Sequence, residues 1–366
     1  MAAASMVDWD LAVKTARLMV RPGPQLDRDE ARAVAQELVS LVPIAEQHVQ
    51  DFTGLTIPDG HIPVAIVERV GWVQANLGGF QVALEPLVRK AMARRGEGRH
   101  NAVGGAVRAV GSRVTGVQVG ALLAWLASRV LGQFELFLPP GEGDGRLTLV
   151  APNIVETERK LDVPPHEFRL WVVLHEVTHR TQFTAVPWLR EYFLTQVEEF
   201  VEASDLDPSQ LMERLRAAIG AVRDALAGRD SGSLIEALQT PEQRVILARM
   251  QALMSLLEGH GDYVMDGVGP AVVPSIELIR RRFNERRQGA GSVDRAIRKL
   301  FGLDLKMRQY AEGERFVRRV VDVAGMAGFN TVWTGPAALP TLDEIRQPNL
   351  WLARMIPDRQ PAAGSQ

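Results

Sequence analysis

PHEFRLWVVLHEVTHRTQF, residues Pro165–Phe183, joins a helical pattern to the densest chemistry in the chain. Pro164 and Pro165 suit a first helical turn, where a missing N–H costs nothing, and Asp162 can act as a cap. Nothing then interrupts the pattern before Phe183. Inside it stand His175, Glu176 and His179, the spacing H-E-x-x-H. Four residues turn a helix by about 400°, so the two imidazoles sit about 40° apart and one turn along. Both can point at one ion. Glu176 lies beside them and can reach a water on that ion, take its proton and later pass it on.

The chain has no cysteine and seven histidines among 366 residues, so any metal must be held by nitrogen and oxygen. A third ligand is offered by MSLLEGHGDYVMDGVG, residues 254–269. Glu258 and Asp262 are four apart and share a helix face. A catalytic zinc commonly takes two histidines and one glutamate and leaves the fourth position for water. Glu258 is therefore read as the third ligand, with Asp266 and Glu191 as competing acids. Asp262 is read as the outer contact that fixes a histidine tautomer. Tyr263, His260 and Tyr310 are candidates for stabilising an oxyanion. The longer pattern H-E-x-x-H-x-x-G-x-x-H is excluded, because Gln182 and Ala185 stand where it needs Gly and His. A di-iron site needs a second E-x-x-H on a helix, and Glu97-x-x-His100 lies in a glycine-containing connector.

The pairing of His175-Glu176-x-x-His179 with Glu258-x-x-x-Asp262 resembles the glutamate-type zincins, the thermolysin-like metallopeptidases. A closer likeness is to a bacterial family of zincin-like hydrolases known from actinobacteria and green non-sulfur bacteria. It is carried by HEVTHRTQFTAVPWL (175–189), MSLLEGHGDYVMDGVG (254–269), RRRFNERR (280–287) and LDLKMRQYAEGERF (303–316), which span roughly the C-terminal half. The resemblance implies a zincin-like metallopeptidase core elaborated by further helices, and it supplies no substrate.

Outward from this stretch the pattern stays mostly helical. Asp8–Met19 and Asp27–Leu41 read as amphipathic helices, and helix is expected from about residue 63 to 95 and from 101 to 131. QFELFL (133–138) and RLTLVAPNIV (146–155) read as a β-hairpin about the turn cluster 139–145, with Pro152 favouring an edge strand. Helices are expected again at 190–227, 241–266, 274–287 and within 293–324. The fold class is thus mainly α with a small β-hairpin or sheet. The expected division is an N-terminal helical region over 1–130, a catalytic region with C-terminal helices over 131–355, and a disordered tail over 356–366.

Charge narrows the function further. There are 44 acidic and 42 basic residues, a net −2, which gives no footprint for nucleic acid. RRRFNERR is read as a solvated helix face. The most apolar run, TGVQVGALLAWLAS (115–128), is too short to span a bilayer, and no signal peptide is evident, so a cytoplasmic location is expected. The expected function is a zinc-dependent hydrolase with one Zn²⁺ on His175, His179 and Glu258. Its expected substrate is a peptide, bound along the edge of a strand at Leu147–Ile154, with Glu176 as general base. The competing readings are a zincin-fold binding or scaffold protein and a hydrolase of a small-molecule amide.

Overall fold

The computed structural model describes residues 7–57, 63–79, 81, 102–138, 141, 143, 145–203, 241–288 and 303–357. In chain order they form α1 (Trp9–Met19), α2 (Arg28–Thr53), β1 (Val64–Val67), α3 (Ala102–Ala127), β2 (Gly132–Glu135), β3 (Arg146–Val150), α4 (Ala151–Leu161), α5 (Pro165–Ala185) and α6 (Pro187–Glu202). After these come α7 (Pro241–Val268), α8 (Ile276–Gln288), α9 (Leu303–Phe329), α10 (Leu342–Arg346) and α11 (Pro348–Met355). Residues 69–79 are also helical. The protein is mainly α with one small sheet, as its sequence predicts.

The described residues divide into two compact units. One holds residues 7–42, 63–79 and 102–176, and the other holds 43–57, 177–203, 241–288 and 303–357. The division falls inside α2 and inside α5.

The first unit carries the sheet, in the order β1-β3-β2. β3 runs parallel to β1 and antiparallel to β2. This corrects the sequence reading in two ways. VAIV at 64–67 is a strand, not part of a helix, because a short run rich in β-branched residues fits a buried strand as well as a helix turn. β3 is then a central strand and ends at Val150, so Leu147–Ile154 offers no free edge. Pro152 sits at the start of α4, where its missing N–H is harmless, rather than on an edge strand. The Asn153 amide donates to the carbonyls of Ala127 and Val130, at 2.8 and 2.6 Å, and so fixes the chain just before β2. Arg69 holds Asn153 in turn, at 2.6 Å. Asp162 caps the end of α4 in the left-handed conformation (φ 51°) instead of starting α5.

Asp8 caps α1, accepting a hydrogen bond from the Leu11 N–H at 2.9 Å. Helix α2 runs past the expected end at Leu41 and through Pro43 to Thr53. Its buried face explains why: Leu38, Leu41, Val42, Ala45 and Val49 keep helical spacing across the proline.

The second unit is built on α7 and α9. Leu253, Leu256 and Leu257 of α7 pack with Phe316, Val317 and Val320 of α9, and with Ile345 and Trp351 of α10 and α11. Each such fully buried side chain contributes about 1.5–3 kcal/mol. At Gly259 and Gly313 the two backbones touch. A Cβ on Gly313 would lie 1.9 Å from the Ser255 carbonyl oxygen, and one on Gly259 would lie 2.2 Å from the Gly313 carbonyl carbon. That contact sits beside Glu258 and sets its height along α9. Residues 358–366 of the expected disordered tail and 204–227 of the helix expected at 190–227 lie outside the described residues, whereas the Ile356 N–H still bonds to the Leu352 carbonyl at 2.8 Å.

Candidate metal centre

Helix α5 is buried over most of its circumference, from Phe168 through Leu174 and Val177 to Gln182. An apolar helix this enclosed leaves its few polar side chains a narrow choice of direction. His175, His179 and the α7 residue Glu258 converge: each offers one ligand-capable atom, and these atoms all lie within 4.8 Å of one another. The His179 Nε2 to Glu258 Oε2 distance is 3.8 Å. Among the described residues this is the one such grouping of three. The competing acids are placed differently. Asp266 forms an ion pair with Arg280 at 2.5 Å, and Glu191 is exposed.

Two imidazoles and a carboxylate are hard-to-borderline donors that suit zinc, and all three side chains are half-buried rather than fully solvated. The donor set therefore fits the ion.

Around His179 the structure shows a contact that the sequence reading overlooks. His179 Nδ1 lies 3.0 Å from Gln182 Oε1, one turn further along α5. Gln182 is itself completely buried. Its Nε2 donates to the Leu257 carbonyl at 2.9 Å and lies 2.9 Å from His260 Nδ1. The spacing i, i+3 on one helix face was the available signal. In the sequence, however, Gln182 serves only to exclude a rival motif. Asp262, expected as the outer contact, accepts a hydrogen bond from Arg280 at its backbone carbonyl, at 3.3 Å.

His260 is fully buried, stacked on Phe329 (5.1 Å between centroids, 22°) and set edge-on to Trp333 (5.6 Å). Burial, and then nearby His179, push its pKa down to about 3, so the ring is neutral. A ring this enclosed offers no N–H to a substrate, which removes it from the candidates for an oxyanion donor. Tyr263 packs against Phe52 (5.9 Å) and under the Arg318 guanidinium (5.5 Å). Burial, reinforced by Asp322 and opposed by Arg318, pushes its phenol up, so it keeps its proton at neutral pH. Five residues on from Glu258, it is turned about 140° around α7. The side chain of Tyr310 lies outside those described.

Glu176 is buried, next to Gly132 at the start of β2. A Cβ at position 132 would fall 2.7 Å from Glu176 Cγ and 2.9 Å from its Cδ. Only glycine lets the strand lie this close to the carboxylate. Nearer the start of α5, His166 contacts Glu37 at 2.7 Å. Of RRRFNERR, Arg280 pairs with Asp266 rather than standing in solvent.

The sequence as a whole matches the model of the zincin-like metallopeptidases over residues 7–352. The chain belongs to that family. It is also similar to a protein of Chloroflexus aurantiacus whose crystal structure was described as that of a candidate hydrolase with a novel fold. Identity is 32 %, the match covers 97 % of this chain and 100 % of the other, and the TM-score is 0.69. No curated protein matches. The family supports a zinc hydrolase, and among the described residues no helix is long and apolar enough to cross a membrane.

Proposed function

We propose that this zincin-like protein is a zinc metallopeptidase, with His175, His179 and Glu258 holding one ion and Glu176 serving as general base. The convergence of the three ligand-capable atoms within 4.8 Å, with Glu258 standing 79 and 83 residues from the two histidines in sequence, carries the reading. When bound, zinc supplies Lewis acidity that lowers the pKa of water and polarises a carbonyl.

The chain's own groups do the rest. The Glu176 carboxylate accepts a proton from the attacking water as the new C–O bond forms. It then gives that proton to the amine nitrogen as the C–N bond breaks. An extended substrate would pair with β2, not with the central β3. The Val150 N–H donates to the Leu131 carbonyl at 2.8 Å, and Gly132 lies opposite Leu149. In an antiparallel ladder the next residue, Gly132, then turns its N–H and C=O away from β3. A backbone seated there would run beside Glu176.

The test is Glu176→Gln in the full-length protein. Zinc stoichiometry is expected to stay at one per chain while peptide turnover falls by about 10²–10⁴-fold. A zinc-loaded variant with undiminished turnover would remove Glu176 as the base.

A further inference from the structure

Gln182 can be oriented in only one way. Its Nε2 faces the Leu257 carbonyl, which accepts and cannot donate, so Oε1 must be the atom that faces His179. Oε1 accepts only, and therefore His179 Nδ1 carries the hydrogen. The second Nε2 hydrogen points at His260 Nδ1, which must accept it, so His260 carries its own hydrogen on Nε2. We infer that Gln182, braced by His260 and the Leu257 carbonyl, is a positioning residue that fixes His179 as the Nδ1–H tautomer and turns its Nε2 lone pair toward Glu258.

This rests on the proposed metal centre, since a ring set this way has its lone pair 3.8 Å from a carboxylate oxygen and wants a cation there. The brace is also mechanically stiff. Gln182 is buried without solvent contact, and His260 is clamped between Phe329 and Trp333. The amide therefore has no room to flip, and a flip would set two acceptors, Oε1 and the Leu257 carbonyl, against each other. The histidine is held by its own helix (i, i+3), and that helix position is held by α7, which also carries Glu258. One contact thus registers two of the three proposed ligands, His179 and Glu258.

The experiment uses the full chain with ¹⁵N-labelled histidine, prepared metal-free at pH 8, and long-range ¹H–¹⁵N spectra to read which ring nitrogen is protonated. His179 is expected protonated at Nδ1 and His260 at Nε2. Zinc affinity is then measured by chelator competition on the wild type, Gln182→Leu, His260→Leu and His260→Asn. Loss of the amide in Gln182→Leu should weaken zinc by about 10–100-fold. His260→Asn keeps an acceptor close to the Nδ1 position but loses the ring stack, so it should hold zinc more tightly than His260→Leu. A merely structural role in packing would reverse that order. Zinc binding by Gln182→Leu within twofold of the wild type, or a His179 protonated at Nε2, overturns the inference and leaves the metal centre standing. A wild type that takes up no zinc overturns the metal centre and the inference together.

Discussion

Glu176 and Gly132 meet where a single methyl group decides the geometry. Gly132→Ala would place its Cβ within 3 Å of the Glu176 side chain and of Leu149. The glutamate side chain is the part that can yield, so its carboxylate should swing away from its working position. Turnover is expected to drop by at least about tenfold, the order set by misplacing a catalytic group. Zinc affinity should stay unchanged, and steady-state kinetics with chelator competition separate the two. At this scale the sequence was highly readable. Two histidines four apart on a helix can meet on one ion by geometry alone, and Glu258 stands out by sharing a helix face with Asp262 four residues on. Gln182 and His260 were not readable as partners, because their meeting depends on which flank of α7 lies against α5. Helical spacing within one element does not contain that information.

Among the elements, the contact between α7 and α9 is the most exacting. Gly313→Ala forces a methyl into the Ser255 carbonyl, and backbone cannot give way as a side chain can. Overpacking of this kind costs about 1–3 kcal/mol, read as a lower Tm, and a displaced Glu258 should weaken zinc binding in the same variant. A Gly313→Ala protein with wild-type Tm and zinc affinity would contradict the argument. The sheet shows why elements were less legible than residues. The hairpin signal at 133–138 and 146–155 correctly gave β2 and β3. The parallel partner β1, far away in sequence, has no local mark beyond four apolar residues. Without β1, β3 reads as an edge, and the substrate edge is assigned to the wrong strand. Likewise a proline at position 43 reads as a stop, although the buried face of α2 runs straight through it.

For the whole molecule, acid stability should depend on Glu344. Burial pushes its carboxyl up, but hydrogen bonds from Arg354, at 2.7 and 3.0 Å, and from Thr341 outweigh that and leave it below the usual carboxylate value. A folded-state pKa below the unfolded one gives stabilisation that is complete above the unfolded value, about 4.3. It is lost as pH falls through the folded value. The Tm gap between wild type and Glu344→Gln is therefore expected to be widest above about pH 5 and to close on acidification. A gap that widens toward low pH would reverse the sign of this argument.

The central claim is that one zinc ion is held by His175, His179 and Glu258, and zinc X-ray absorption with metal analysis on the full chain tests it most directly. One ion per chain with two imidazole nitrogens and a carboxylate in its coordination sphere, lost from His179→Ala and from Glu258→Ala, is the expected result. Retention of a full equivalent of zinc by both variants, with the same absorption spectrum, would contradict it.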